Sequence, residues 1–102
     1  MDTNALVAHA RARFDHVAAK RLLKEKYQAR MVFGYRGGLF RAGPELLALL
    51  HSVPVQDDIV ILDLYENPIK VDPLELQHLA HDRWQEQMNA WLVEHDQLSK
   101  KR

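Results

Sequence analysis

Apolar residues recur along this chain first with a helical period and then in a strand–strand–helix pattern that occurs twice. From Asp2-Thr3-Asn4, any of which can cap a helix, to about Arg30 there is no glycine or proline. Most residues there are good helix formers, so the segment reads as one long helix. Leu6, Ala10, Phe14, Val17 and Leu22 form an approximate apolar stripe with Tyr27 near its end, the pattern of an amphipathic helix docking on something apolar. Met31, Val32, Phe33 and Tyr35 then favour a strand, Gly37-Gly38 a tight hairpin turn, and Leu39 to Ala42 the returning strand. Gly43-Pro44 ends the hairpin and opens a short helix, because proline fits the first helical turn, where its missing N–H costs nothing. His51-Ser52-Val53-Pro54 closes that helix.

The same succession returns 29 residues later, and residues 31–50 align with 60–79 without a gap. Phe40-Arg41-Ala42 lies over Ile69-Lys70-Val71, Pro44 over Pro73, Leu47 over Leu76 and Leu50 over Leu79. Ile59 to Tyr65 is a nearly continuous apolar run broken by Asp63, which predicts a strand covered on both faces. Glu66-Asn67-Pro68 turns the chain and Ile69 to Val71 supplies the partner strand. Asp72 can cap the next helix, with Pro73 at its first position and Glu75 completing a capping box. That helix meets no further glycine or proline and runs for about 25 residues, about 38 Å at the helical rise. The pattern predicts a single α+β domain over residues 1–102, of order α-ββα-ββα. Its parts are a long helix over 1–30, a first ββα unit over 31–50 and a second over 59–100 with a long final helix. The two hairpins are expected to join in one antiparallel four-stranded sheet.

Charge changes the picture more than composition does. The chain has 102 residues, 47% hydrophobic and 27% charged, ordinary for one globular domain with one modest core. Its zero net charge hides a split: residues 1–42 carry nine Lys/Arg against three Asp/Glu, and residues 43–102 carry five against eleven. Such a split favours contact between the first and last segments, within one chain or between copies, and leaves room for an acidic partner on the basic half. With no cysteine, disulfides and thiolate zinc sites are excluded. No segment approaches the length of a membrane span, and the N-terminal residues lack a signal-peptide core, so a cytoplasmic or virion location is expected.

Candidate chemistry is sparse. Gly34-Tyr35-Arg36-Gly37-Gly38 is followed by a strand rather than a helix, so it reads as a hairpin and not as a phosphate loop. His78, His81 and Asp82 stand at helical spacing, and a metal-dependent enzyme built on them is a third and lowest reading, because one helix face supplies too few ligands. No nucleophile–base–orienter order is legible, and neither catalysis, a metal nor a cofactor is expected. Trp84, Met88, Trp91, His95 and Leu98 form the large apolar stripe of the final helix, shared between core packing and a partner-binding ridge. Arg11, Arg13, Lys20, Lys24 and Lys26, extended by Arg36 and Arg41, form the surface open to an acidic partner or to nucleic acid.

The segments YRGGLFRAGPELLALL, LYENPIKVDPLEL and WQEQMNAWLVEHDQLSKKR resemble small accessory proteins encoded by large contractile-tailed bacteriophages. The resemblance spans the chain from about Arg21 onward and implies a viral origin and a virion or assembly role. The sequence as a whole points to a noncatalytic assembly or adaptor protein that forms a homo-oligomer through its long helices or binds another assembly component. The alternative is a small nucleic-acid-binding protein that uses the basic helix and first hairpin.

Overall fold

The computed structural model describes residues 3–54 and 57–100. In chain order it holds α1 (Thr3–Arg30), β1 (Val32–Tyr35), β2 (Gly38–Arg41), α2 (Pro44–Ser52), β3 (Ile59–Leu62), β4 (Pro68–Val71) and α3 (Pro73–Lys100). The α+β class and the α-ββα-ββα order follow. Asp2, one of the capping candidates for α1, lies outside the described residues.

Local chemistry explains each boundary. Arg36 (φ 47°) and Gly37 (φ 81°) are the two central residues of the first turn, closed by the pair Tyr35↔Gly38. Positive φ at both centres gives the turn whose twist matches the strands. The turn therefore sits one residue before the expected Gly37-Gly38, and Gly38 belongs to β2. Arg36 is held there by Asp58, whose Oδ2 accepts from its Nη1 at 2.9 Å, and by the Tyr35 ring 5.4 Å from its guanidinium. In the second hairpin the Asp63 carbonyl accepts from the Glu66 N–H at 3.1 Å, and Glu66 takes φ 64°, a three-residue loop ending in the left-handed region. Asp72 caps α3 as expected, its Oδ1 accepting from the N–H groups of Leu74 at 3.1 Å and Glu75 at 3.4 Å. The reciprocal arm of the capping box is replaced, because the Asp72 N–H donates to the Tyr35 hydroxyl at 3.3 Å.

The expected four-stranded sheet is instead two separate two-stranded antiparallel sheets, β1-β2 and β3-β4. Their inner faces pack on one another rather than their edges pairing. A Cβ built on Gly38 would fall 2.8 Å from Ile69 Cγ1, so the bare backbone of β2 is what lets β4 approach. Where the edges meet, one backbone bond forms, from the Leu64 N–H to the Leu39 carbonyl at 2.7 Å. The Leu39 N–H turns to a side chain, donating to Asp63 Oδ2 at 3.1 Å. A carboxylate thus stands where a ladder would need a carbonyl. Face packing also corrects the reading of β3 as covered on both sides, since Val60 and Leu62 are exposed while Ile59 and Ile61 pack inward.

The core gathers Met31, Phe33, Tyr35, Phe40, Ala42, Leu50, Val71, Leu76 and Ala80. The repeat is kept at Ala42 and Val71, both buried, and at Phe40 and Ile69, both packed inward. It breaks at Leu50 and Leu79: Leu50 is buried, Leu79 is exposed, and Ala80 fills the core from α3 instead. The long helices give extents of 68 × 24 × 21 Å and a radius of gyration of 19.5 Å, against about 13 Å for a compact chain of this size.

Candidate protein interface

α1 and α3 run antiparallel and are clasped at the root of α1. The buried Tyr27 stacks on Trp91 with centroids 5.9 Å apart and planes 7° from parallel. Lys26 Nζ meets Glu94 Oε1 at 2.8 Å, and Arg83 Nη1 donates to the Arg30 carbonyl at 3.4 Å. Burial, reinforced by the Glu94 carboxylate, raises the Tyr27 hydroxyl pKa, and the hydrogen bond from Lys26 holds Glu94 below its ordinary value. Moving outward from this clasp, Leu98 of α3 shares an open cleft of about 860 Å³ with His9, Ala12, His16, Val17 and Ala19. Counting from the Tyr27–Trp91 stack at equal rise per residue, Lys100 lies beside residue 18 of α1. Every residue from Thr3 to Asp15 is exposed.

The side of α1 that meets α3 is not the stripe expected from hydrophobicity. His16, Ala19 and Leu23 are half-buried and Tyr27 is 2% exposed. Leu6, Phe14, Val17 and Leu22 are 49%, 71%, 64% and 62% exposed, and Ala10 is exposed too. α1 carries two apolar sides, and Leu6, Phe14 and Leu22 stand away from the docked one, with Val17 at the edge of the cleft beside Leu98. The signal for the docked side was in the sequence: alternating steps of four and three along Ala5, His9, Ala12, His16, Ala19 and Leu23, the spacing of a two-helix seam. Alanine and histidine are weak hydrophobes, so the spacing was outweighed.

The final-helix stripe is engaged within the chain. Trp84, Met88 and Trp91 line a cleft of about 460 Å³ with Met31, Phe40, Leu62 and Leu64, Trp84 and Met88 also pack on the core, and His95 and Leu98 are half-buried. Arg13, Lys20 and Lys24 share one side of α1 by their spacing and Arg11 lies on another. Lys26 and Arg36 are held in ion pairs with Glu94 and Asp58, and Arg41 is exposed at the end of β2. His78, His81 and Asp82 are exposed on α3, with His81 Nδ1 4.0 Å from Asp82 Oδ1. Among the described residues no three potential metal ligands gather, and no helix is long and apolar enough to cross a membrane.

Asp63 went unnoticed as more than an interruption. Its Oδ1 accepts from the N–H groups of Tyr65 at 3.0 Å and Asn67 at 2.9 Å, and its Oδ2 from Leu39. These backbone donors, Asn67 and Leu39 foremost, hold its carboxyl below the ordinary value of 3.8. Comparison of the chain with family models, curated proteins and solved structures returns no match.

Proposed function

We propose that this chain is a noncatalytic assembly protein that joins protein subunits through the overhanging half of α1, chiefly by self-association. The observation that carries the reading is the stretch Thr3–Asp15, exposed at every position although it holds Leu6, Val7 and Phe14. A helix of about that length is marginal in water by itself. Apolar side chains grouped on a projecting element are ordinarily covered by a partner. The charge split supports protein contact as well, since basic α1 already meets acidic α3 through Lys26 and Glu94. The likeness to small accessory proteins of contractile-tailed phages supports a virion or assembly setting.

The test is sedimentation velocity over a hundredfold concentration range on the chain and on a Leu6→Glu/Val17→Glu variant. Both positions are exposed, so circular dichroism of the variant should match the parent. The parent is expected to associate and the variant to remain at the 11.9 kDa of one chain. A parent that stays monomeric throughout removes the reading.

A further inference from the structure

Each long helix carries a straight stripe of exposed residues besides the side by which α1 and α3 meet. On α1, Leu6, Ala10, Arg13, Val17, Lys20 and Lys24 follow one another in alternating steps of four and three, and all are exposed. Arg13 and Val17 stand at the rim of the cleft beside Leu98 and the others clear of it. On α3, Asp82, Glu86, Asn89, Val93 and Asp96 are spaced in the same way and are also exposed, with Leu79 and Glu75 continuing the steps toward the start of the helix. Such spacing keeps each set on one side of its helix. The first stripe carries three cations and no acid, the second four acids and no cation before Lys100. We infer that the acidic stripe of α3 receives the basic stripe of α1 from a second copy of this chain. The inference rests on the assembly reading above and names the surface on which α1 lands.

Charge selects this occupant. Among the described residues none of Arg13, Lys20 and Lys24 forms an ion pair, and of the four acids only Asp82 has a partner, the His81 ring at 4.0 Å. The two stripes do not meet within one chain, because α1 and α3 already face each other through Tyr27 and Trp91 and through Lys26 and Glu94. Two α1 stripes brought together, or two α3 stripes, would set like charges opposite one another. Only α1 against α3 opposes unlike charges, with Leu6 and Val17 on one side and Leu79 and Val93 on the other supplying apolar contact. An unrelated acidic partner would cover α1 and leave the α3 stripe bare, whereas a second copy covers both with one kind of contact.

The zero net charge of the chain lets copies approach without overall repulsion while the local stripes attract. The Lys26–Glu94 pair is the same match of a basic α1 with an acidic α3, formed once within the chain. Because the stripes lie on different helices, one copy can hold a neighbour by α1 and be held by another at α3, so association continues past a pair unless the contacts close on themselves. Exposed ion pairs are individually weak and are screened by salt. Assembly is therefore concentration-dependent and weakens as ionic strength rises.

Sedimentation velocity of the nuclease-treated chain at low salt reads the contact through exchanges of charge. Arg13→Glu/Lys20→Glu sets acid against acid and Asp82→Lys/Glu86→Lys sets cation against cation, and each should raise the concentration needed for association at least about tenfold. The variant carrying all four substitutions keeps the parent's net charge with the signs exchanged, and should associate as the parent does. Arg11→Glu/Arg41→Glu, exposed and off the stripe, alters net charge as much as Arg13→Glu/Lys20→Glu and should stay near the parent. All these positions are exposed, so circular dichroism should be the same for every variant. Either stripe variant associating like the parent, a fourfold variant that does not recover, or an off-stripe variant that fails equally overturns the contact. Those results leave the assembly reading standing, whereas a parent that stays monomeric throughout defeats that reading and the contact with it.

Discussion

Replacing Gly38 by alanine tests whether the hairpins meet face to face. The new Cβ would lie 2.8 Å from Ile69 Cγ1, 3.1 Å from Phe40 Cε2 and 3.2 Å from Ile69 Cδ1. Ile69 branches at Cβ, so its Cγ1 cannot swing aside as the end of a long side chain would. Overpacking of this kind costs about 1–3 kcal/mol. The stiffer unfolded chain returns about 0.4–1 kcal/mol, and the backbone of Gly38 is not left-handed, so no strain is added. The net loss is about 1–2 kcal/mol, a fall in Tm of about 4–8 °C per kcal/mol for a domain of this size. Ile69→Ala alone should cost about 2 kcal/mol, the low end for such truncations because the side chain is only half-buried. The double variant is the decisive one. With Cγ1 gone the alanine at 38 occupies vacated space, and the combined loss should fall short of the sum by at least about 1 kcal/mol. Urea unfolding followed by tryptophan fluorescence and circular dichroism supplies all four corners of the cycle. Additivity within about 0.5 kcal/mol would mean that the two residues do not touch, as in a flat sheet paired edge to edge, and the face-to-face packing would be wrong.

Other outcomes follow from single side chains. Asp63 has a lowered folded-state pKa, so its stabilisation is complete above the ordinary carboxylate value and is lost as pH falls below that value through the folded one. Asp63→Asn should flatten the acid limb of a stability–pH curve below about pH 4, and an unchanged acid limb would show that its three backbone bonds do not survive in solution. Gln87 is 7% exposed and its Oε1 finds no hydrogen-bond partner among the described residues. Gln87→Met should therefore raise stability by about 1 kcal/mol, whereas a lower urea midpoint would reveal a partner for that oxygen. Trp91→Ala removes the stack on Tyr27 and should cost about 2–3 kcal/mol at concentrations where the chain is monomeric. A loss seen only where copies associate would return Trp91 to a partner-binding role.

The parts of this fold that local chemistry controls were legible in the sequence. Pro44 and Pro73 mark both helix starts, the paired glycines mark the first hairpin, and the repeat gives the order of elements. The relation between the hairpins was not legible, because it turns on the absence of a side chain at Gly38 and on one carboxylate at Asp63 substituting for a strand. Neither feature has a period. The two sides of α1 failed for a different reason: weighting residues by hydrophobicity selects Phe14 and Val17 over Ala12 and His16, although packing against α3 follows spacing. The aromatic stripe of α3 was found by pattern, and the packing of Trp84 and Met88 on the core together with the stack of Trp91 on Tyr27 separates an internal clasp from an external ridge.

Asp63 uses its two oxygens for different distances along the chain, Oδ1 for its own loop and Oδ2 for a residue 24 positions away. The amides of Leu39, Tyr65 and Asn67 therefore share one acceptor group, though they belong to two hairpins. Any fluctuation that withdraws that group exposes all three together. Hydrogen exchange should find them leaving protection in a common event, with one opening free energy for a loop and a joint that look separable.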